Sequence, residues 1–513
     1  MSSLLNNTYA KYLVLIVAGL ISVFAFAPFN YSWIIIISLC LLLTVIEQQK
    51  NTTTKDLISY GYVYGLAYFN VQLYWIFYSI YKVIDAGFWV SLVAIVGFTL
   101  FLATYFALTL WLYGKIKSKN QVFNLVFLFP SVWVFFEWLR GWLLGGFPWC
   151  EIGYSQVANN LFRGFYPLLG NYSVSWLILS LSGIILLLLK HPAGIAGLPK
   201  TFSFRLAIIY CTIMVIAGSF LAKVEYTRPY GKPVSIALIQ GNIPENVKWK
   251  NNDTLDVYAR AIAKTKADII MLPETAISQF EEYLPEGYLA GLANSARANG
   301  ASLVIGIPKI IDKQYNYENT ATVLTAPGRP YYAKYHLVPY GEYIPAKWLL
   351  GRLYASVSLP MVGFTAGPEY QAPLVASNQK LAFNICYENG FSTELTQAAA
   401  NSTIMVNLSD MVWYGTTIAK DEHLQLSQAR ALENQRYFIQ VTNTGLTAII
   451  NPSGQIQSLL PVFKRAILKD YVQGRTGHTP FEKYGNYPII SLCLGLIALG
   501  VSYSRAKSRV KTG

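Results

Sequence analysis

Charge is what this chain has least of. Charged side chains make up 13% of its 513 residues and hydrophobic ones 54%, whereas an ordinary soluble protein is roughly 25% charged. That balance argues against a soluble globule and for a chain that lives in a bilayer. The five cysteines, at positions 40, 150, 211, 386 and 493, are odd in number and scattered, and the four histidines are isolated. Neither a disulfide framework nor a metal site is suggested. CxxC, HExxH and GxxxxGKS/T patterns are missing, so no metal or other cofactor is expected. The net charge of +14 has no long basic patch behind it. Lys and Arg fall mostly in short clusters between apolar runs, so nucleic acid is not an expected partner.

What the chain has in abundance is long apolar runs. They lie at about 11–27, 31–46, 57–80, 87–113, 121–142, 165–189, 205–222 and 487–504, and a bilayer crossing needs roughly 20 residues. Eight transmembrane helices are predicted. "AFAPF" at 25–29 has the small-residue spacing of a signal-peptide cleavage site. Only Lys11 precedes the apolar run, however, and a second run follows at once, so a retained helical hairpin is expected. Alternate connections carry Lys50 and Lys55, then Lys115, Lys117 and Lys119, then Lys190, Lys200 and Arg205, and the tail adds Arg505, Lys507, Arg509 and Lys511. The opposite connections hold Lys82, Arg140 and Arg163. Because basic residues favour cytoplasmic loops, both termini are expected in the cytoplasm and 223–486 on the far side, the periplasm of a bacterial inner membrane. The expected domains are 1–222 with seven spans, 223–486 as an insert, and 487–513 with the eighth span and a basic tail.

The insert has another texture. "VSIALIQ" (234–240), "DIIMLPE" (268–274), "SLVIGIP" (302–308), "KLAFNIC" (380–386) and "STIMVNLS" (402–409) read as short buried strands, with helix-like stretches at 254–266 and 423–436 between some of them. A strand end that delivers a polar residue is where α/β sheets place chemistry. At about 250 residues, the insert can bury a core of its own.

Three such residues could act together: Glu274 in "MLPETAI", Lys334 in "YYAKYHLVPYGEYIP" and Cys386 in "LAFNICYENGF". A thiol needs a base or cation to become a thiolate, and the tetrahedral intermediate it forms needs a positive or hydrogen-bonding partner. Taken singly, each has an ordinary reading. Cysteine at a strand end is commonly a small core hydrophobe, and Glu or Lys is commonly a solvated charge or half of an ion pair. On the thiolate argument, a cation beside Cys386 should raise its thiolate fraction and make it the fastest of the five cysteines to alkylate.

The segments "VSIALIQGNIPENVKW", "ADIIMLPETAI", "YYAKYHLVPYGEYIP", "LAFNICYENGF" and "NLSDMVWYGTT" together resemble the nitrilase, or carbon-nitrogen hydrolase, superfamily, whose catalytic trio is Glu, Lys and Cys in that chain order. Such a domain inserted before the last of eight spans is similar to the apolipoprotein N-acyltransferase family. The resemblance implies a polytopic α-helical membrane protein with an inserted αββα sandwich. It also implies a monomer without cofactor or metal, and catalysis by Glu274, Lys334 and Cys386. Supporting roles pass to Trp249, Glu342, Tyr387 and Glu388. The implied reaction moves an acyl chain from a membrane phospholipid, through a thioester on Cys386, to the α-amino group of a diacylglyceryl-modified N-terminal cysteine of an apolipoprotein. Leu272 stands where that family often has Trp before Pro, which alters the wall beside Glu274 but not Glu274 itself.

Other readings stay open on the residues alone. A membrane-anchored amidase or nitrilase would share the trio, and a transporter or sensor could keep the domain for binding only. Glu342 is either a surface carboxylate on a turn or a partner of Lys334. "WLLGGFPWCEIGYSQ" (142–156) is either a lateral path for lipid or an interfacial anchor. "MVWYGTTIAKDE" (411–422) is either a mobile lid or an ordered loop. Glu137 and Arg140, three apart near the end of the fifth run, are either functional at membrane depth or mutually neutralising.

Overall fold

The computed structural model describes residues 7–47, 53–190, 200–248, 253–345, 348 and 363–512. Trp249 and Lys50 lie outside the described residues. The chain divides into two compact units, one built from Met1–Phe77, Trp89–Val224 and Tyr484–Gly513, the other from Tyr78–Phe88 and Glu225–Lys483.

The first unit is helical. Its helices are Thr8–Ile21, Ile34–Glu47, Thr54–Tyr78, Phe88–Ile116, Phe129–Arg140 with a π-helical turn Phe123–Leu128 before it, Tyr166–Lys190, Lys200–Leu221 and Tyr487–Thr512. Every expected run thus carries a helix. Among the described residues, five stretches are long and apolar enough to cross a membrane: Thr8–Ala25, Phe88–Ile116, Phe123–Arg140, Asn171–Lys190 and Tyr487–Ser504. Ile34–Glu47 is apolar but shorter. It has 14 residues, about 21 Å of helix against a hydrocarbon core of about 30 Å. Thr54–Tyr78 has 25 residues, diluted by Tyr60, Tyr62, Tyr64, Tyr68, Tyr74 and Tyr78.

Within this unit, Glu137 and Arg140 are buried and spend themselves on backbone. Arg140 Nη1 donates to the carbonyls of Phe147 and Trp149, each at 2.6 Å, and Glu137 Oε1 accepts from the Ile152 N–H at 2.8 Å. The buried Glu151 carboxylate accepts from Asn171 Nδ2 at 2.6 Å and the Tyr172 hydroxyl at 2.8 Å, and the Tyr68 hydroxyl donates to the Cys150 carbonyl at 2.8 Å. The 147–153 stretch leaves regular helix, so its backbone groups need partners of their own, and these side chains supply them. The two residues three apart on one helix therefore anchor a loop.

Among the described residues, the second unit contains fourteen strands. In chain order they are β1 (Thr227–Pro229), β2 (Val234–Gln240), β3 (Ile269–Met271), β4 (Ser302–Ile310), β5 (Tyr317–Val323), β6 (Tyr331–Ala333), β7 (Leu374–Ala376), β8 (Gln379–Ile385), β9 (Ile404–Ser409), β10 (Phe438–Thr442), β11 (Ala448–Ile450), β12 (Ile456–Leu459), β13 (Ala466–Val472) and β14 (Arg475–Gly477). Two six-stranded sheets run β13-β2-β3-β4-β5-β6 and β12-β11-β10-β9-β8-β7, and β1 pairs with β14. Each large sheet has a parallel centre, β2-β3-β4 in one and β8-β9-β10 in the other, with antiparallel strands outside it.

The side-chain alternation of a strand sorts these residues into layers. Ile236, Leu238, Ile269, Met271 and Val304 face inward and pack on Leu381, Phe383, Ile385, Val406, Leu408 and Val441 of the opposite sheet. Their neighbours Ala237, Ile239, Ile270, Leu303 and Ile305 face outward against helices Asp253–Ala263 and Tyr288–Ala298 through Leu255, Ile262, Leu289 and Leu292. Met405 and Phe438 do the same on the other side, beneath Leu395, Leu424 and Ala431 of helices Ser392–Ala400 and Ala419–Asn434. The result is helix, sheet, sheet, helix. Fully burying one Ile, Leu or Val side chain contributes about 1.5–3 kcal/mol, so the inter-sheet layer is the main source of stability.

Tyr78–Phe88 belongs to this unit and not with the helices that flank it. Ser79 Oγ donates to the Trp413 carbonyl at 2.6 Å, and the Tyr78 ring lies against Gly415, whose φ is +52°. Val412–Tyr414 forms a 3-10 turn, Tyr414 is buried, and a helix begins at Ala419. The 411–422 stretch is an ordered loop leading into a helix.

Gly306 on β4 shows how tightly the sheet and the turn beyond β3 are fitted. A Cβ there would run into the Pro273 carbonyl and the Thr275 nitrogen. Gly306→Ala is expected to destabilise the protein by about 1–3 kcal/mol through overpacking, seen as a lower melting midpoint. Gly291→Ala, inside a helix with open space around it, should be neutral or stabilise by up to about 1 kcal/mol.

Candidate active site

The chemistry-bearing side chains follow strand ends. Glu274 sits in the turn after β3, Lys334 follows β6, Cys386 follows β8, Asp410 follows β9 and Asn443 follows β10. In both sheets the ends used by the parallel strands are carboxyl ends, where side-chain spacing opens and backbone N–H groups are unspent. Glu274, Lys334, Glu342, Cys386 and Glu388 are all buried.

Lys334 is the hub. Its Nζ lies 2.8 Å from Glu342 Oε1 and 3.7 Å from Glu274 Oε1. Asn319 Nδ2 on β5 donates to the same two oxygens, at 2.7 Å to Glu274 and 3.4 Å to Glu342. The other oxygen of each carboxylate takes a backbone donor: the Asp410 N–H meets Glu274 Oε2 at 2.9 Å, and the Val338 N–H meets Glu342 Oε2 at 2.8 Å. Glu342 is therefore the ionic partner of Lys334 and not a solvated surface group.

Cys386 has φ +53°, a left-handed conformation uncommon outside glycine. Its carbonyl is held at 3.0 Å by His423 Nε2 and at 3.2 Å by Asn407 Nδ2. Since the Cys386 carbonyl and the Tyr387 N–H share one peptide plane, fixing the former aims the latter the opposite way, and that N–H bonds the Cys386 sulfur. Glu388 completes the turn. Its carboxylate accepts from the Ile385, Tyr335 and His336 N–H groups at 2.6, 2.7 and 3.0 Å and from the Tyr332 hydroxyl at 2.9 Å. It thereby ties the Cys386 turn to the segment that carries Lys334. The Tyr387 ring packs edge-on to Phe391 and His336.

Burial raises the Glu274 carboxyl above its ordinary range; Lys334 opposes this, while Glu342 and Asp410 add to it. Burial also disfavours the Lys334 charge, but Glu342, Glu274 and Cys386 outweigh it and hold the ammonium protonated. The Cys386 thiol is pushed well above its ordinary value by burial and by Glu274, with Lys334 acting in the opposite direction. One cation faces two carboxylates, so the resting sulfur is held toward its protonated form, and a base is needed to free it. Among the described residues, Cys40, Cys386 and Cys493 take part in no disulfide.

Two family models match this sequence: apolipoprotein N-acyltransferase N-terminal domain over residues 18–184 and carbon-nitrogen hydrolase over 235–480. An apolipoprotein N-acyltransferase of Chromobacterium violaceum is 36% identical over 94% of this chain and 92% of its own. The Nitrosomonas europaea protein of the same name is 33% identical over 99% of this chain and 100% of its own. The chain belongs to the apolipoprotein N-acyltransferase family. Among solved structures, a carbon-nitrogen hydrolase from Helicobacter pylori G27 overlaps 47% of this chain and 89% of its own at 15% identity and a TM-score of 0.36, too slight a likeness to add to the family match.

Several members of the site escaped sequence reasoning. Asn319 on β5 and Asn443 just past β10 are ordinary polar residues until the sheets bring them in. Lys248 and Asp410 lay inside the quoted "ENVKW" and "NLSDM" segments, and a charged residue just past a buried run was the available signal. His423 gave none, because a histidine among helix residues has no marked spacing.

His423 is fully buried, and burial lowers its pKa from the ordinary 6.5 to about 4. Between those values the unfolded chain binds more protons than the folded one, so stability falls as pH drops from 6.5 through 4, by roughly 3 kcal/mol in all. Glu388 acts with the opposite sign. Burial raises it from 4.5 to about 7, so its contribution is fully present below 4.5 and is lost as pH rises through 7. The melting difference between wild type and His423→Gln should therefore shrink as pH falls from 7 to 4, as measured by thermal unfolding at a series of pH values.

Proposed function

We propose that this protein transfers an acyl chain from a membrane phospholipid to the α-amino group of the diacylglyceryl-modified N-terminal cysteine of apolipoproteins. The observation that carries this reading is the meeting of a buried thiol, a buried carboxylate and a buried ammonium at strand ends, in a chain whose relatives bear the acyltransferase name. In the first half-reaction Glu274 takes the thiol proton and sulfur attacks the ester carbonyl. Lys334 and the Tyr387 N–H stabilise the oxyanion, the carbon–oxygen bond breaks, and Glu274 returns the proton to the departing lysophospholipid. In the second, the acceptor amine attacks the Cys386 thioester, Glu274 takes an amine proton, the carbon–sulfur bond breaks and the thiol is restored. Ping-pong kinetics follow. The raised pKa of Glu274 suits a base that must also give its proton back.

Glu342 keeps Lys334 charged and in place, Glu388 and Tyr387 shape the turn of the nucleophile, and Trp249 has a supporting role by family resemblance. The helical unit supplies eight membrane crossings, in domains 1–222 and 487–513. The catalytic domain, 223–486, faces the periplasm of a bacterial inner membrane, with both termini cytoplasmic. The chain works as a monomer without cofactor or metal. The short helix Ile34–Glu47 crosses by thinning the bilayer locally.

The test is incubation of purified protein with a labelled phospholipid and a diacylglyceryl-cysteine peptide. N-acylated peptide and an acyl adduct on Cys386 are expected, and Cys386→Ala should reduce both at least 10³-fold, the scale of losing a catalytic nucleophile. Release of free fatty acid without peptide acylation would instead indicate a membrane-anchored amidase or esterase. Binding without turnover would indicate a transporter or sensor.

A further inference from the structure

Lys334 is not the only buried ammonium beside Glu274. Lys248, on the short helix Glu245–Lys248 that follows β2, is 2% exposed. Its Nζ donates to Thr275 Oγ1 at 2.5 Å and to the Glu274 carbonyl at 3.4 Å, and it is ion-paired with Asp410 Oδ2. Asp410 is buried as well. Its second carboxylate oxygen accepts from Asn443 Nδ2 at 2.8 Å, and its own N–H donates to Glu274 Oε2. The residue beside each member of the arrangement is in the left-handed region, Thr275 at φ +45° and Met411 at φ +67°. Such turns persist only when their surroundings over-determine them. One ammonium therefore clasps two strained turns, and both turns hold the same carboxylate.

We infer that the Lys248–Asp410 pair is a second positioning device for the catalytic base, which fixes Glu274 from the side opposite Lys334 and shields it from the Asp410 charge. The inference rests on the proposed role of Glu274. The charged and titratable groups facing Glu274 are Lys334, Glu342, Asp410, Cys386 and Tyr414, with Asn319 as the neutral donor between the two glutamates. Of these, Asp410 is the one whose charge is cancelled from outside the group. Its carboxylate adds to the upward push on Glu274, and removing Lys248 would leave that push unopposed. A buried carboxylate without its cation is also costly, so Asp410 would draw in water and loosen the N–H that aims Glu274.

The geometry predicts opposite effects from the two ends of the pair, which a merely structural role would not produce. The readout is the pH dependence of single-turnover acyl transfer from a fluorescent phospholipid to Cys386 in the full-length protein, with melting curves for each variant. Lys248→Met should move the acid limb up by about one pH unit, a tenfold loss of rate below the limb. Asp410→Asn should move it down. Lys248→Arg should restore the wild-type limb, and the double variant Lys248→Met/Asp410→Asn should lie between the two single ones, keeping the test alive if Lys248→Met alone folds poorly. An Asp410→Asn limb that stays in place or moves up, or a double-variant limb that does not lie above the Asp410→Asn one, would overturn the inference. Glu274→Gln separates the two levels. If it retains transfer with the wild-type limb, the role of Glu274 fails and the inference with it. If it abolishes transfer while the Lys248 and Asp410 variants keep the wild-type limb, only the inference fails.

Discussion

The catalytic unit is organised around one buried ammonium that cannot be left alone. Taking a lysine out of water has an effective penalty of several kcal/mol, and Lys334 is 1% exposed. It is tolerable because Glu342 and Glu274 flank it and Asn319 and two backbone N–H groups satisfy what is left of those carboxylates. Through the proposed cycle this centre keeps its net charge. When Glu274 gains the thiol proton it loses a negative charge, and the substrate oxyanion gains one on the same ammonium. Nothing needs to be drawn in from solvent, which suits a site meant to receive lipid.

That arrangement depends in turn on the double sheet. Each sheet contributes a parallel centre, and the residues just past those strands come from positions far apart in the chain: Lys248, Glu274, Cys386, Asp410 and Asn443. Small shifts of either sheet would separate hydrogen bonds such as Asp410 N–H to Glu274, which spans 136 residues of sequence. The tight layer of Ile, Leu, Val and Phe between the sheets fixes the site as well as stabilising the unit.

How much of this was legible beforehand varied with how local the cause was. β2 was read at its observed limits, Val234–Gln240, because an apolar run bounded by polar residues is a local signal. β5 and β10 were not seen. "YENTATV" and "FIQVT" carry polar residues whose hydrogen-bond partners, Glu274 for Asn319 and His423 for Gln440, lie on other elements. Glu274, Lys334 and Cys386 were found through the resemblance of their surrounding segments. The balance of charges on the thiol was not legible, for a physical reason. The sequence offers a cation as a candidate neighbour, but whether burial and two carboxylates outweigh it is settled only by three-dimensional distances. A helix lies at each of the eight places, because a long apolar run is a local signal.

The strap formed by Tyr78 and Ser79 has a consequence for how this chain can be divided. The catalytic unit is continuous in space but discontinuous in sequence, since Tyr78–Phe88 precedes its main body by 137 residues from Phe88 to Glu225. A fragment cut at 225 and 483 would contain every side chain of the reaction centre and still lack the ring that covers Gly415 and the hydroxyl that caps the Trp413 carbonyl. The boundary suggested by the family model, 235–480, is therefore a boundary of common ancestry and not of independent folding.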